Sequence, residues 1–573
     1  MSEQSFMKAV FHGVISEDII FPYREMVGEE AENVKLIVEG VQRFLDDRVD
    51  AAAIDRAHQI DPAILEEAKG LGLFGLQIPE EYGGIGLGAS AYCRIMQQLA
   101  GHDPSLAVTL GAHQSIGLKG ILLYGNKSQQ QRYLPSLASG EKVAAFALTE
   151  PSAGSDAANL KTRARLSDDG KHYILNGSKI WITNGAIADV FTVFARTSEF
   201  EEGAKPRLTA FIVERGEGLT NGPNEAKLGI RGSSTTEIFF DDLKVPVENV
   251  LGEVGRGFKV AMGVLNNGRL GLAAGCLGSC KTLIAMAIER VAERRAFGRS
   301  IGEFGLIKDK IAGMLSRTYA LESMTYLTTS LVDRNIDDYS LESAICKIYG
   351  SETLWWVVNE TLQIAAGIGY MEEYPYERLL RDARINLIFE GTNEILRAFT
   401  ALSGFAGPGK ELAGVAKALR DPIKGFGLLA DFALKKVRSR FNEEKLSAVH
   451  PLLSREAVLF EEHVGHLARH VENTLRRHGR DIQLMQFVQR RVADVAIDLY
   501  ALAACMSRTT RAIEKSSTEG AKRQLEYTRV FSTEARVRLA RNVAEFEHNN
   551  DELRKSIALS SYPDGRYMLD ILP

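Results

Sequence analysis

Cysteine is scarce in this sequence and has no metal-binding spacing. The 573 residues contain five cysteines, and none of them forms a Cys-x-x-Cys pair. We therefore predict neither a zinc site nor a disulfide framework. Scattered thiols in odd number are typical of proteins that work in a reducing compartment.

Long apolar runs and a charge excess are also missing. We find no stretch of about 18 apolar residues and no basic-then-apolar order at the N-terminus, so we expect no membrane-spanning helix and no signal peptide. The net charge is −5, which gives no reason to expect a nucleic-acid partner. Hydrophobic residues make up 45% of the chain, an ordinary composition for a soluble protein. The length of 573 residues suggests about three or four domains.

The periodicity of the sequence changes along the chain and predicts separate domains. Residues 30–145 have helical spacing, residues 146–258 contain short strand-like runs, and residues 259–405 return to long helices. Helices and strands in separate blocks indicate an α+β, mainly α fold: an N-terminal helical domain, a small β-barrel or sandwich, and a C-terminal helical bundle. Residues 1–29 are expected to form an N-terminal extension.

A basic stretch follows the bundle. We expect the chain to break at Gly404 and at Gly407-Pro408-Gly409, with residues 406–440 as a linker and residues 441–573 as an additional helical domain. Residues 407–440 contain eight basic and three acidic residues, a net charge of +5. A basic amphipathic stretch can lie on an anionic membrane, or it can be a solvated linker helix packed on its own protein, and both interpretations stand.

The octapeptide Phe389–Leu396 contains the strongest candidate for catalysis. It places Glu390 between an aromatic ring and a Gly-Thr turn that opens a helix. An apolar neighbour raises the pKa of a carboxylate by desolvation, which suits a general base. A solvated helix start, stabilised by the helix dipole, fits the same residues.

Other motifs suit a flat, phosphorylated cofactor. Phe146–Asp156 concentrates hydroxyls and glycine as phosphate-binding loops do, Trp181 and Thr183 suit a ring, and the arginines of Glu293–Arg299 suit a diphosphate. Each also has a structural explanation: a turn, a buried strand tryptophan and a solvated helix end. Asn266–Arg269 contains poor helix formers where a helix should continue, which often marks a functional position.

Together these motifs resemble the acyl-CoA dehydrogenase flavoproteins. The order and spacing match that family over roughly residues 30–405, through Thr-Glu-Pro-Ser-Ala-Gly-Ser-Asp at 149–156, Trp-Ile-Thr-Asn-Gly at 181–185, Arg-Arg-Ala-Phe-Gly at 294–298, Gln-Ile-Ala-Ala-Gly at 363–367 and Phe-Glu-Gly-Thr-Asn-Glu at 389–394. The C-terminal extension and residues 381–390 are similar to the very-long-chain branch, which includes family member nine. The resemblance implies a four-helix bundle for residues 259–405.

The resemblance implies non-covalent FAD and a homodimer, because each cofactor site draws on two subunits. Residues expected to line the flavin are Phe146, Leu148, Thr149, Gly154 and Ser155, with Trp181, Ile182 and Thr183 on the other side. Residues expected to contact the FAD of the neighbouring subunit are Arg294, Phe297, Phe304, Gly305, Gln363, Ile364, Ala366 and Gly367. Thr392 and Glu394 are expected to reach the cofactor beside the base.

The implied reaction is α,β-dehydrogenation of a long-chain acyl-CoA thioester. Glu390 would remove the α-proton and flavin N5 would accept the β-hydrogen as hydride, giving a trans-2-enoyl-CoA and passing electrons to an electron-transferring flavoprotein. In one group of relatives the base lies at the position of Gly268, which cannot accept a proton. The expected substrate contacts are Ser155, Asn266, Arg269, Phe389 and Gly391.

Two other functions remain open at this point, a scaffold for assembly of a respiratory complex and an acyl-CoA oxidase. We expect a cytoplasmic protein in a bacterium or a mitochondrial matrix protein as a mature form, with peripheral contact at the inner membrane. His463, His466 and His470 share a helix face that could bind a metal. A solvated face explains them better, so no metal is predicted.

Overall fold

The computed structural model describes residues 5–197, 207–420 and 445–571. Helices α1–α18 are Phe6–Phe11, Glu17–Ile20, Gly28–Arg48, Ala51–Ala57, Pro62–Gly70, Ala89–His102, Pro104–Gly111, Lys119–Tyr124, Lys127–Ala138, Gly257–Glu293, Gly305–Asp333, Ser340–Ala365, Tyr376–Arg384, Asn393–Arg420, Ser454–His478, Gln486–Gly520, Lys522–Ala544 and Asp551–Ser561. Strands β1–β10 are Ala144–Ala147, Arg163–Leu166, His172–Thr183, Val190–Arg196, Leu208–Glu214, Leu219–Asn221, Thr235–Pro246, Val250–Leu251, Arg295–Ala296 and Arg299–Ser300.

The N-terminal helices follow from local sequence signals. Helix α5 begins at a local helix-start signal, because Asp61 Oδ1 accepts the Ala63 N–H at 2.9 Å and Pro62 occupies the first helical position. In α3 the apolar stripe is buried at Val34, Val41 and Leu45. These helices share a core with the helices that follow the sheet.

The middle region is one mixed eight-stranded sheet with the order β6-β7-β3-β2-β4-β5-β8, and β1 pairs in parallel with β4. Each strand-like run of the sequence overlaps a strand, although residues 160–162 precede β2, and residues 168–170 lie in the turn that joins β2 to β3. Residues of β4 and β5 are almost fully buried, because one face of these strands packs on helices and the other face packs on the remaining strands.

Helices α10, α11, α12 and α14 form the helical bundle that follows the sheet. Helix α10 is 37 residues long and passes without interruption through Asn266–Arg269. Gly302, Asp337-Asp338 and residues 367–375 all lie between α-helices, where glycine, aspartate and proline interrupt the helical pattern. The fold class predicted from the sequence is confirmed.

The predicted break at Gly404 and Gly407-Pro408-Gly409 is wrong. Helix α14 runs through these residues to Arg420. Gly404 is required by packing, because a Cβ atom there would lie 2.1 Å from the Phe11 ring. Residues 421–440 of the predicted basic linker lie outside the described residues.

The N-terminal extension is packed into the protein. Phe6, Met7 and Val10 of α1 are completely buried, and α1 contacts α14 and α15. Ser5 donates a hydrogen bond of 2.7 Å to Glu342, which lies in α12. Residues that precede the N-terminal domain therefore join the bundle to the C-terminal helices.

Helices α15, α16 and α17 complete this core through Phe460, Tyr500 and Phe531. His463 and His470 lie in α15, where the His463 ring contacts the Leu459 carbonyl and the His470 ring stacks on Phe546 at 4.2 Å. Among the described residues, no group of three His, Cys, Asp or Glu side chains could hold a metal ion.

By length and composition alone, two segments could cross a membrane, although the sequence was expected to contain no apolar run long enough. Within the described ranges, Pro104–Tyr124 and Gly257–Glu293 are long and apolar enough. Buried residues make up 78% and 61% of their most apolar windows. Both segments are explained as core helices, because their apolar side chains pack inside this protein.

Candidate active site

A deep apolar cavity lies between α6, α7, α10 and α13. It contains about 910 Å³ of empty space, its open mouth included. Its lining includes Tyr92, Met96, Ala107, Gly111, Ser115, Ile116, Thr183, Ile230, Gly268, Gly271, Gly275, Ser279, Leu283, Asp382, Asn386, Phe389 and Glu390. The sequence predicted four of these for the site: Thr183, Gly268, Phe389 and Glu390.

Glu390 presents its carboxylate to this cavity from an unusual backbone conformation. Its φ is +59°, in the left-handed region that residues other than glycine rarely adopt. Its Oε2 is buried and has no hydrogen-bond partner among the described residues, although the residue as a whole is half-buried. Burial raises the pKa of Glu390 to about 7, against the opposing effects of Arg269 and Lys347. A carboxylate with this pKa is suited to accept a proton near neutral pH.

Two cations contact the backbone on either side of this carboxylate. Arg269 donates from Nε to the Glu390 carbonyl at 3.3 Å and from Nη1 to Asn266 Oδ1 at 2.9 Å. Lys347 donates to the Gly391 carbonyl at 2.7 Å. The sequence predicted Asn266, Arg269 and Gly391 for the site.

Gly268 lies directly against the Glu390 carboxylate. A Cβ atom at residue 268 would be 3.1 Å from Glu390 Oε2 and 2.9 Å from Ile116 Cγ2. A side chain here would therefore compete with Glu390 for the same space. The two positions at which the sequence resemblance places a base converge on one point of the cavity.

One face of α10 forms a long wall of the apolar cavity. Gly268, Gly271, Gly275, Ser279 and Leu283 recur at three- and four-residue spacing along the cavity. At 1.5 Å per residue the stripe is about 22 Å long. The three glycines leave room where side chains would otherwise fill the gap between α6 and α10.

The sheet contributes Thr183 to the cavity lining, and Trp181 lies two residues earlier on the same strand. Trp181 is 62% exposed, with φ of +58°, because the register between β3 and β7 shifts between Lys179 and Ile182. Such bulges redirect side chains, often beside active sites. Trp181 is therefore not the buried strand tryptophan that would be the commoner explanation.

The loop after β1 is anchored by a buried ion pair that the sequence did not predict. Lys179 lies 2.8 Å from Glu150, and both side chains are nearly inaccessible. Glu150 also accepts the Thr162 N–H at 3.0 Å. This pair fixes the loop that contains Gly154 and Ser155, which are exposed, while the preceding Phe146, Leu148 and Thr149 are buried or half-buried.

The residues predicted for a neighbouring subunit's cofactor do not line this cavity. The hairpin β9–β10 presents Phe297, which is 94% exposed. Arg294 follows Gly268 by 26 residues along or just beyond α10, about 39 Å at helical rise. The end of α12 carries buried Ile364 and exposed Gln363, and exposed Ala366 and Gly367 follow it. The start of α11 carries half-buried Phe304 and exposed Gly305.

Sequence reasoning missed several residues around the base. Lys347 is a lone cation in an apolar helical segment, which was a usable signal. The π-helical turn Ala112–Gly117 supplies Ser115 and Ile116 to the cavity and has no clear sequence signature. Asp382 accepts the Ile230 N–H at 2.5 Å and so joins α13 to a loop of the β domain; only the folded chain brings these two together.

Thr392 and Glu394, which the sequence predicted for the site, lie at the start of α14, where Thr392 Oγ1 accepts the Ile395 N–H.

Four family models match the chain. They are Acyl-CoA dehydrogenase, N-terminal domain at residues 31–141, its middle domain at 145–243, its C-terminal domain at 255–403, and ACAD9/ACADV, C-terminal domain at 451–562. The chain belongs to the acyl-CoA dehydrogenase family, in its very-long-chain branch.

Known relatives agree with this assignment. The human very long-chain specific acyl-CoA dehydrogenase, a mitochondrial protein, is 48% identical over 89% of this chain and 80% of its own length. The crystal structure of a Bacillus anthracis acyl-CoA dehydrogenase complexed with FAD superposes with a TM-score of 0.81 at 34% identity, covering 99% of this chain and 96% of that one. Butyryl-CoA dehydrogenase from Megasphaera elsdenii, with a TM-score of 0.63 and 37% identity, covers 66% of this chain and 99% of its own.

Proposed function

We propose that this FAD-dependent acyl-CoA dehydrogenase converts long-chain acyl-CoA thioesters to trans-2-enoyl-CoA, with Glu390 as the general base. The single observation that carries the proposal is the position of Glu390. Its carboxylate has a pKa raised to about 7 by burial and faces an apolar cavity whose long wall is the α10 stripe.

The residues present fit a flavin. Thr183 lines the cavity from the sheet, and the exposed Trp181 beside it offers a flat apolar face without a partner ring among the described residues. Thr183 and Trp181 thus offer a hydroxyl and an aromatic face on one strand, as a ring with an apolar face and a polar edge requires. When bound, FAD supplies the hydride acceptor for the β-hydrogen.

Glu390 and its surroundings provide the proton chemistry. An α-proton is too weakly acidic for a carboxylate unless the thioester carbonyl is polarised. Within the described residues the Glu390 backbone N–H has no hydrogen-bond acceptor, so it is available to donate to that carbonyl. The apolar wall excludes water and brings the pKa values of donor and acceptor closer. Asn266, Arg269, Phe389 and Gly391 surround the thioester, with Ser155 from the loop after β1.

A homodimer completes the cofactor site in this proposal. Arg294, Phe297, Phe304 and Gly305 do not line the cavity that holds Glu390, and the 94% exposed Phe297 is free to reach a second copy. Residues at the end of α12, Gln363–Gly367, belong to the same set.

The physiological electron acceptor in this proposal is an electron-transferring flavoprotein. Peripheral membrane contact through residues 407–440 stays a prediction, since most of that stretch lies outside the described residues. Binding to anionic vesicles that falls with added salt, and that disappears when residues 407–440 are removed, is the expected behaviour. Cytoplasmic and mitochondrial matrix locations are both compatible with these proposals.

Anaerobic addition of palmitoyl-CoA to the purified yellow protein tests the reaction. We expect the flavin absorbance to bleach soon after mixing, and the bleached protein to be reoxidised by an electron-transferring flavoprotein. Absence of bleaching would favour a scaffold role instead. Rapid peroxide formation on admitting air would favour an oxidase.

A further inference from the structure

Two consecutive residues of the base loop have left-handed backbone conformations. Glu390 has φ of +59° and Gly391 has φ of +95°. A non-glycine residue in this region is strained, so surrounding contacts must offset the cost if the conformation is to persist. The direction of the Glu390 carboxylate depends on this conformation, because the side chain leaves the backbone at that residue.

Lys347 of α12 makes the contact best placed to fix this loop. Its Nζ donates to the Gly391 carbonyl at 2.7 Å and to Asn393 Oδ1 at 2.9 Å, so it joins the loop to the first residue of α14. The residue is completely buried. From the opposite side Arg269 donates to the Glu390 carbonyl at 3.3 Å. The two carbonyls that define the turn are thus each bonded to a cation.

A buried lysine here is difficult to explain by stability alone. Lys347 forms no ion pair within the described part of the chain, and both of its acceptors are neutral oxygens. Burying an ammonium group with no carboxylate in direct contact is costly, and an apolar side chain of similar length would fill the same space without that cost. A residue that lowers the stability of the fold is expected at positions where function requires that residue.

The acceptors of Lys347 are themselves fixed by a polar chain that reaches the C-terminal helices. Asn393 donates to Glu352 at 3.1 Å, and Arg397 binds the two Glu352 oxygens at 2.6 and 2.9 Å. Arg397 also donates to Asp494 of α16 at 2.7 Å. The C-terminal domain therefore supports the helix start on which Lys347 depends.

We propose that Lys347 is a positioning residue for catalysis, which holds the Gly391 carbonyl so that the Glu390 carboxylate points into the acyl cavity. This inference rests on the proposed role of Glu390 as the base. Its effect on the base is both geometric and electrostatic.

The electrostatic part has a defined sign. The positive charge of Lys347 opposes the rise in the Glu390 pKa that burial causes. Burial lowers the pKa of Lys347 itself to about 8, so it is mostly charged at neutral pH. Removing the charge should raise the Glu390 pKa and move the rate–pH curve to higher pH. Charged and titratable groups around these two side chains are Arg269 and Cys276 of α10, Tyr92 of α6 and Glu352 of α12.

The test is the rate of flavin reduction by palmitoyl-CoA in the Lys347→Met holoenzyme, measured by stopped flow across pH. Because displacement of a catalytic group by about 1 Å can cost about a hundredfold in rate, we expect a loss of tenfold to a hundredfold at pH 7, with the curve moved to higher pH and FAD retained. Wild-type rate and pH dependence in Lys347→Met would overturn the proposal.

Matched variants separate this effect from damage to the fold. Lys119→Met removes another buried lysine, whose Nζ donates to Gln77 at 3.1 Å outside the cavity lining; we expect it to keep the wild-type pH curve, and the same shift in this control would refute a specific role for Lys347. If Lys347→Met loses FAD, Lys347→Gln, which keeps a polar end, carries the same test. Glu390→Gln distinguishes the two proposals, because flavin reduction retained in that variant would contradict the base assignment itself.

Discussion

Substitution of Gly275 should shorten the acyl chains that the enzyme accepts. Gly275 lies on the α10 face of the cavity, seven residues beyond Gly268, a distance of about 10.5 Å at helical rise. An extended acyl chain advances roughly 1.3 Å per carbon, given bonds of about 1.5 Å. Residue 275 is therefore opposite about the tenth carbon, and about six carbons of palmitoyl-CoA would lie beyond it.

A leucine at this position would exclude those carbons from the cavity. At about 0.8 kcal/mol per buried methylene, the loss of binding approaches 5 kcal/mol, or up to a few thousandfold in kcat/KM at about 1.36 kcal/mol per factor of ten. We expect Gly275→Leu to lose about that much with palmitoyl-CoA and less than about tenfold with octanoyl-CoA. The assay compares steady-state kcat/KM for both substrates with an excess of electron acceptor.

Gly275→Ala is the matched control for packing. Its Cβ would lie 3.3 Å from Ala100 Cβ, so only a small adjustment of α6 is needed, and we expect both substrates to be used nearly as well as in the wild type. Equal losses with long and short substrates in Gly275→Leu, at unchanged FAD content, would refute the argument that the α10 stripe lines the acyl chain.

Two further predictions concern pH and the cofactor loop. Because Glu390 must be deprotonated to act and burial raises its pKa to about 7, flavin reduction in the wild type should be slow below that pH, rise through it and level off above; a stopped-flow profile that is flat across neutral pH would contradict this. Lys179→Met should lower the free energy of unfolding by about 3–5 kcal/mol, because it leaves Glu150 buried without its partner, and should weaken FAD retention. In urea unfolding the double variant Glu150→Gln/Lys179→Met should recover much of this loss, and no recovery would show that the ion pair is not the cause.

The sequence predicted the features that depend on local patterns. The strands follow from short β-branched and aromatic runs, and the start of α5 follows from Asp61-Pro62, because capping needs only neighbouring residues. Glu390 could likewise be selected as a candidate from neighbouring residues, because its aromatic neighbour and the Gly-Thr turn lie within the octapeptide. The raised pKa of Glu390 agrees with the reasoning that an apolar setting desolvates it.

Features that depend on distant contacts could not be predicted. Gly404 looks like a helix break, yet it lies inside α14 because Phe11, almost four hundred residues earlier, packs against it. Trp181 is exposed because of a register shift against β7 that has no signal in β3 alone. Lys347 acquires its role only when α12 brings it to the Gly391 carbonyl.

The central claim is that Glu390 removes the α-proton, and one measurement tests it most directly. Palmitoyl-CoA is added anaerobically to the Glu390→Gln protein with FAD bound, and the flavin absorbance is followed beside the wild type. The carboxamide keeps the size of the side chain but cannot accept the proton, so we predict that the wild type bleaches and the variant does not, although both bind the substrate. Bleaching of Glu390→Gln at a rate near that of the wild type would contradict the account, because the base would then be another group.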